Sequence, residues 1–219
     1  SDVYKRQLEK RFGKGAQAAE TQKYSASLKD SLNAFYDPEK EMYASYKASD
    51  GTLYGYHAYM QAATLLACDL DANRARRLCA VLKSPKGKAV EMTLAALPMQ
   101  YDAIVKAEKD CKWCVENVAE IFGKMLYAGA TSYWETERGE ADFNDAGSLC
   151  HGWSAVPAYF TNSIVLGITP LSPGFKTFRV SPFAGNLASA SGSVPTPYGS
   201  IHVKWQIAEN GKMHVDVDA

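Results

Sequence analysis

The stretch Ser200-Ile-His-Val-Lys-Trp-Gln-Ile207 and the stretch Lys212-Met-His-Val-Asp-Val-Asp218 both alternate apolar and polar residues, and Asn210-Gly211 lies between them. Strict alternation is typical of a strand with one buried face, and Asn-Gly is the dipeptide that most favours a tight hairpin turn. The sequence therefore predicts a β-hairpin. Seven apolar residues share its inner face, and three polar ones face water. The inner set is Ile201, Val203, Trp205, Ile207, Met213, Val215 and Val217; the outer set is His202, Lys204 and His214.

Towards the N-terminus the hydrophobic repeat lengthens from two residues to that of an α-helix. Asp37-Pro38 and Ser84-Pro85 end two of the helical stretches, because the residue before a proline disfavours helical backbone. The region around Asp50-Gly51 is expected to be a loop or a short hairpin. Helices are predicted over residues 17–36, 59–70, 72–82, 90–108, 115–125 and 153–166.

Paired helices followed by a small β module predict a multidomain α+β chain. We place a helical domain at residues 1–168 and an antiparallel β-sandwich module at residues 169–219. Helical hairpins joined by functional loops suit an α/α toroid, in which the loops of one rim build the site. Internal repeats are not visible, and five or six helices are too few to close such a ring.

Composition excludes several classes of function. Lysine and arginine number 24 and aspartate and glutamate also number 24, so no net charge attracts nucleic acid or an anionic membrane. No apolar run is long enough to span a bilayer. The five cysteines include Cys111 and Cys114 in a lone C-x-x-C within a helical pattern, which favours buried or half-buried thiols over a redox or metal site. We expect no metal and no cofactor.

Polar, aromatic and glycine residues are densest between residues 129 and 155. The motif GATSYWET (129–136) is followed by SLCHGWSA (148–155), then by LGITPLSPGFKTFRVSP (166–182) and GSVPTPYGSIHVKW (192–205). In this order the four motifs resemble the C-terminal half of the bacterial α-L-rhamnosidases. The resemblance runs from about Leu28 to the end. It implies part of a six-hairpin (α/α)6 barrel followed by a β-sandwich.

The resemblance also implies roles for three residues. Glu135 would be the general base that activates water, His151 would contact the rhamnose, and Trp134 would pack or line the sugar subsite. From residue type alone, Glu135 could equally be a solvated charge and His151 a packed histidine bonded to backbone. Asp142 and Asp145 are expected to form turns or a helix cap, Trp153 to be a core residue, and His57 to be structural.

The implied activity is hydrolysis of terminal α-L-rhamnosyl linkages by an inverting two-carboxylate mechanism. The family's general acid lies upstream of the part that aligns here, so this chain alone is expected to be inactive. A non-catalytic carbohydrate-binding module and a glycosidase for another sugar remain alternatives. The expected partners are a rhamnose-containing glycan and the remainder of the parent polypeptide, and the compartment stays open.

Overall fold

The computed structural model describes the backbone of residues 2–219 and the side chains of residue 5 and residues 7–219. The chain divides into two compact units. The first contains residues 1–92 and 102–108, and the second contains residues 93–101 and 109–219. Helix α5 (Leu97–Glu108) contributes residues to both units. We describe each unit by itself.

The first unit begins with two packed helices, α1 (Asp2–Arg11) and α2 (Gly15–Leu32). Two short β-hairpins follow. Strand β1 (Tyr36–Asp37) pairs with β2 (Met42–Tyr43), and β3 (Tyr46–Lys47) pairs with β4 (Leu53–Tyr54). Helices α3 (Ala58–Ala67) and α4 (Ala72–Lys83) then pack on each other.

Two polar side chains fix the local geometry of this unit. The Asp71 carboxylate accepts hydrogen bonds from the backbone N–H groups of Asn73 and Arg74 and so caps α4. Gln61 on α3 is fully buried and bonds both backbone groups of Tyr43: it accepts from the N–H at 2.8 Å and donates to the C=O at 2.7 Å. Gln61 thereby satisfies the backbone N–H and C=O of Tyr43 on the edge of β2 that no other strand pairs with.

The longest helix described in the second unit is α6 (Cys111–Tyr127), which buries one apolar stripe. Asp110 caps it by accepting from the N–H of Trp113 at 3.0 Å. The chain then runs through a long loop to α7 (Val156–Phe160), which continues as one π-helical turn over Thr161–Val165.

Two small antiparallel sheets complete the second unit. Strand β5 (Ile168–Pro170) pairs with β6 (Phe178–Val180). Strands β7 (Ser189–Thr196), β8 (Gly199–Ile207) and β9 (Met213–Asp218) form a three-stranded sheet with β8 in the centre. Trp205 is almost completely buried, and its indole N–H donates to the C=O of Val165 at 2.8 Å. The core of this region joins Val165, Leu166 and Ile168 to Ile201, Val203 and Trp205.

The predicted α+β fold class is confirmed, as are the hairpin around Asn210-Gly211 and most of the helices. The register places Val203 opposite Val217 and Trp205 opposite Val215. However, Val215 and Val217 are exposed, so the predicted inner face is wrong at these two residues, whereas Met213 packs against the core as predicted. Strand β9 is an edge strand, and the buried face is covered mainly along β8.

Two predicted helices are shorter than expected. Helical backbone starts at Leu94 instead of residue 90, because the N–H and C=O of Val90 bond Tyr56 and Ala58 in a β-bridge. The predicted helix over 153–166 is interrupted: a 3₁₀ turn covers Gly152–Ser154, and α7 starts anew at Val156 with Pro157 in its first turn. Helix α1 was not predicted.

Three further observations concern classes of function. Among the residues described, no helix is long and apolar enough to cross a bilayer. All five cysteines are free thiols. Cys114 is buried and Cys111 half-buried, as expected from their place on α6. The two compact units do not correspond to the predicted domains at residues 1–168 and 169–219. The domain boundary at residue 168 therefore stays a prediction.

Candidate functional site

The candidate site is built by two loop segments of the second unit that lie side by side. The N–H of Glu135 donates to the C=O of Ser148 at 2.8 Å, and the N–H of His151 donates to the C=O of Tyr133 at 2.7 Å. The hydroxyl of Ser132 also donates to the C=O of Leu149. These cross-links bring the GATSYWET and SLCHGWSA motifs together, with Glu135 and His151 on adjoining strands of loop.

The carboxylate of Glu135 is held on one side only. Its Oε2 accepts a hydrogen bond from the backbone N–H of Ser148 at 3.3 Å. Within the described part of the chain, Oε1 has no hydrogen-bond partner and Glu135 forms no ion pair, and the side chain is half-buried. A fixed carboxylate with one free oxygen can accept a proton from a water or hydroxyl placed against it.

Ser148 also orders the turn that follows it. Its hydroxyl donates to the C=O of Cys150 at 3.1 Å and lies 3.2 Å from the backbone N of Cys150. Such a serine turn fixes the backbone between Ser148 and His151 without any regular secondary structure. The same residue therefore binds Glu135 through its backbone and sets the path to His151 through its side chain.

The loop between the two motifs is tightly closed. Phe143, Asn144 and Asp145 have φ angles of 56°, 59° and 61°, so three successive non-glycine residues lie in the left-handed region. This conformation costs on the order of 1–2 kcal/mol per residue. The N–H of Gly147 returns to the C=O of Asp142 at 3.0 Å. Asp142 and Asp145 thus lie in a turn, as residue type suggested.

Two glycines make this closure possible. A Cβ atom at Gly147 would overlap the carbonyl oxygen of Gly139, so only hydrogen fits there. A Cβ at Gly139 would lie 2.8 Å from Cε3 of Trp134 and 2.8 Å from Cδ2 of Leu149. Trp134 therefore lies against Gly139, half-buried, and braces the loop from the Glu135 side.

Two of the carboxylates that neighbour Glu135 along the chain are engaged elsewhere. Glu137 forms an ion pair with Lys124 at 3.1 Å, and Asp142 forms one with Arg138 at 3.1 Å. The contact with Glu137 raises the pKa of Lys124 above its usual value. Among the described residues, no group of three His, Cys, Asp or Glu side chains could hold a metal ion.

Aromatic and apolar side chains surround the site. Tyr133 packs edge-on against Phe122 of α6 and helps to line a pocket of about 340 Å³. The expectation that Trp153 is a core residue is wrong: it is 79% exposed, because it lies on the 3₁₀ turn after His151 and not inside a helix. Phe143 and Leu149 are also exposed. Their apolar nature is visible in the sequence, but their exposure is not.

His57 belongs to the first unit and has no role in this arrangement. Its Nδ1 lies 2.8 Å from the hydroxyl of Ser45 and 3.1 Å from the C=O of Gly55. These two contacts at Nδ1 are consistent with the structural role expected of His57.

The comparisons with known proteins agree with one another. Residues 167–219 match the family described as the bacterial α-L-rhamnosidase C-terminal domain. A curated α-L-rhamnosidase from Alteromonas sp. (strain LOR) is 39% identical over 90 residues, which are 38% of this chain and 10% of that protein.

Solved structures extend the similarity to nearly the whole chain. The GH78 family rhamnosidase of Bacillus sp. GL1 matches with a TM-score of 0.85 and 27% identity, over 97% of this chain and 23% of that one. The Streptomyces avermitilis α-L-rhamnosidase, solved with L-rhamnose, matches in fold with a TM-score of 0.73 and 16% identity, over 97% and 20%. The chain thus spans about a quarter or less of the length of these relatives. With the four motifs, the C-terminal domain match and this fold, the chain is similar to the C-terminal part of the bacterial α-L-rhamnosidases.

Proposed function

We propose that this chain supplies the general base of an inverting glycoside hydrolase that releases terminal α-L-rhamnosyl groups. The observation that carries the proposal is the Glu135 carboxylate, anchored through Oε2 to the N–H of Ser148 and open at Oε1. In the proposed reaction Oε1 takes a proton from a water as that water attacks the anomeric carbon. The glycosidic C–O bond breaks on the opposite face, so the anomeric configuration inverts.

His151 and Trp134 are proposed to hold the sugar. The imidazole of His151 offers one donor and one acceptor nitrogen in its neutral form, which suits a sugar hydroxyl. The half-buried Trp134 adds apolar surface beside the base. Both side chains adjoin Glu135 through the paired loop segments, so a sugar bound by them would be presented to the base.

The leaving oxygen needs a proton from a second carboxylic acid, which inverting enzymes place roughly 6.5–9.5 Å from the base. Glu137 and Asp142 are poor candidates because each is paired with a cation. We propose that the acid comes from a part of the enzyme outside these 219 residues. The chain alone would then release no rhamnose.

The test compares Glu135→Gln with Glu137→Gln in the full enzyme that contains this chain, with p-nitrophenyl α-L-rhamnoside as substrate. Glu135→Gln should lower kcat by about 10²–10⁴-fold, because the amide cannot accept the proton. Glu137→Gln is the matched control and should keep kcat within about twofold, since it removes only an exposed ion pair.

Proton NMR of the first-formed sugar should show inverted configuration. Retained configuration, or a Glu135→Gln variant as active as the control, would refute the proposal. Hydrolysis by the 219-residue chain itself, lost in Glu135→Gln, would place the acid within the chain and refute that part only.

A further inference from the structure

An exposed aromatic cluster in the first unit has no part in the chemistry proposed above. Tyr46 on β3 and Tyr54 on β4 are paired in register, and their rings stack with centroids 5.3 Å apart and planes 20° apart. Their exposed fractions are 53% and 50%. Together with His57 we call these residues the tyrosine platform.

The ring of Tyr46 is held in place although half of it is open to solvent. Gly55 has a φ of 71°, and a Cβ there would lie 2.6 Å from Cδ2 of Tyr46, so the ring occupies the space a side chain would need. The ring of His57 meets Tyr46 edge-on at 6.1 Å. Tyr54, Gly55 and His57 therefore restrain Tyr46 from three directions. Because the ring is already restrained, binding a ligand costs little side-chain entropy.

His57 adds a polar group to this apolar surface. Its Nδ1 lies between the Ser45 hydroxyl at 2.8 Å and the C=O of Gly55 at 3.1 Å. These contacts fix the orientation of the ring and leave Nε2 as the nitrogen that a ligand hydroxyl can reach. In the part of the chain that the structure describes, Nε2 has no protein partner, and the side chain is half-exposed.

Other exposed tyrosines lack this arrangement. Tyr198 and Tyr24 are more exposed than either platform tyrosine, yet neither stacks on another aromatic ring of the described residues. Exposure alone is common for tyrosine, whereas two exposed, stacked rings beside an accessible imidazole nitrogen are not.

We infer that the tyrosine platform is a carbohydrate-binding surface. A pyranose ring has one face of C–H groups and a rim of hydroxyls. The C–H face can pack on the tyrosine rings, while a hydroxyl, which can donate or accept, forms a hydrogen bond with Nε2 of His57. The platform shares no residue with the site around Glu135. The inference relies on the proposed function only for the expectation that the sugar is rhamnose.

The experiment titrates the isotope-labelled 219-residue chain with L-rhamnose and with a rhamnose-containing disaccharide, following amide shifts by NMR. Amides between Ser45 and His57 should shift. Tyr46→Ala combined with Tyr54→Ala should weaken binding at these amides at least tenfold, which corresponds to about 1.4 kcal/mol. Tyr54→Phe keeps the ring and should bind within about twofold of the unaltered chain.

Two controls separate this inference from the proposed function. Tyr198→Ala removes a still more exposed ring elsewhere and should leave the shifts between Ser45 and His57 unchanged. Glu135→Gln should also leave them unchanged, whatever its effect on hydrolysis in the full enzyme. Absence of shifts between Ser45 and His57 in the unaltered chain would overturn the inference without touching Glu135. Equal shifts with p-nitrophenol, a flat aromatic without sugar hydroxyls, would overturn it as well.

Discussion

At the scale of the residue, Glu135 shows how backbone contacts can hold a loop carboxylate in one orientation. A glutamate in a loop is ordinarily a mobile, solvated charge. Here one oxygen is bonded to the N–H of Ser148, and the residue's own N–H is bonded to the C=O of Ser148. Ser148 therefore restrains Glu135 from both the backbone and the side-chain end.

A second residue-scale contact, between Tyr56 and Asp37, predicts a pH dependence. The Tyr56 hydroxyl donates to Asp37, which lowers the pKa of Asp37. Burial, reinforced by this hydrogen bond to Asp37, raises the pKa of Tyr56 from 10.0 to about 12. The stabilisation from Tyr56 is fully present below about pH 10 and is lost as the pH rises through about 12. That from Asp37 is present above its usual pKa of 3.8 and is lost as the pH falls through its lower value.

Tyr56→Phe should therefore lower the free energy of unfolding by about 1 kcal/mol at neutral pH, because it removes one hydrogen bond to a carboxylate. The difference between variant and unaltered chain should shrink from about pH 10 to about pH 12. Urea unfolding at a series of pH values measures this. A difference that stays constant across the alkaline range would show that the Tyr56 hydroxyl is not the titrating group.

At the scale of the element, the β1–β2 hairpin of the first unit depends on a helix for some of its hydrogen bonds. Strand β2 is two residues long and cannot satisfy both of its edges. Gln61 from α3 takes the free backbone groups of Tyr43, and its Nε2 also donates to the C=O of His57 at 3.0 Å. One buried side chain thus joins β2 to the first turn of α3.

Gln61→Met should lower the free energy of unfolding by about 2–4 kcal/mol. Methionine has nearly the same shape but leaves the N–H and C=O of Tyr43 buried without partners, at about 1–3 kcal/mol each. Gln17→Met on the exposed side of α2 is the matched control and should change stability by less than about 0.5 kcal/mol. Equal stability of the two variants, measured by urea unfolding, would contradict the role given to Gln61.

Elements with a local signal could be predicted from the sequence, and those without one could not. The β8–β9 hairpin follows from alternation and Asn210-Gly211. Strand β7 contains Gly192 and Pro195, two residue types that are unfavourable in strands, so its sequence does not predict a strand. The strand forms because β8 provides an edge with which it can pair. The motifs around Glu135 and His151 could be recognised, but the hydrogen bonds that join them bridge residues up to 18 apart along the chain. No local pattern encodes such contacts.

At the scale of the whole molecule, the five free thiols differ sharply in access. Cys150, which lies between Ser148 and His151 in the chain, is exposed. The other four thiols are less accessible: Cys79 and Cys114 are buried, and Cys68 and Cys111 are half-buried. Burial also raises the pKa of Cys79 to about 11 and raises that of Cys68 and Cys111. Because the thiolate is the reactive form, both effects slow these thiols.

A chromogenic disulfide reagent should accordingly find one fast thiol in the native chain and all five after denaturation. Cys150→Ser should remove the fast phase, and Cys68→Ser should leave it intact. Two or more fast thiols in the native chain, or a fast phase that survives in Cys150→Ser, would show that the packing of the helices differs from that described.

The contact of Gly147 with the carbonyl of Gly139 limits how this loop could be re-engineered. A library that randomises residues 137–150 would lose most members at these two positions, because any side chain forces the loop apart. Diversity is better placed at Phe143, Leu149 and Trp153, whose side chains are exposed. Gly139 and Gly147 should therefore be kept, whereas the exposed side chains of this region can be varied without disturbing the backbone.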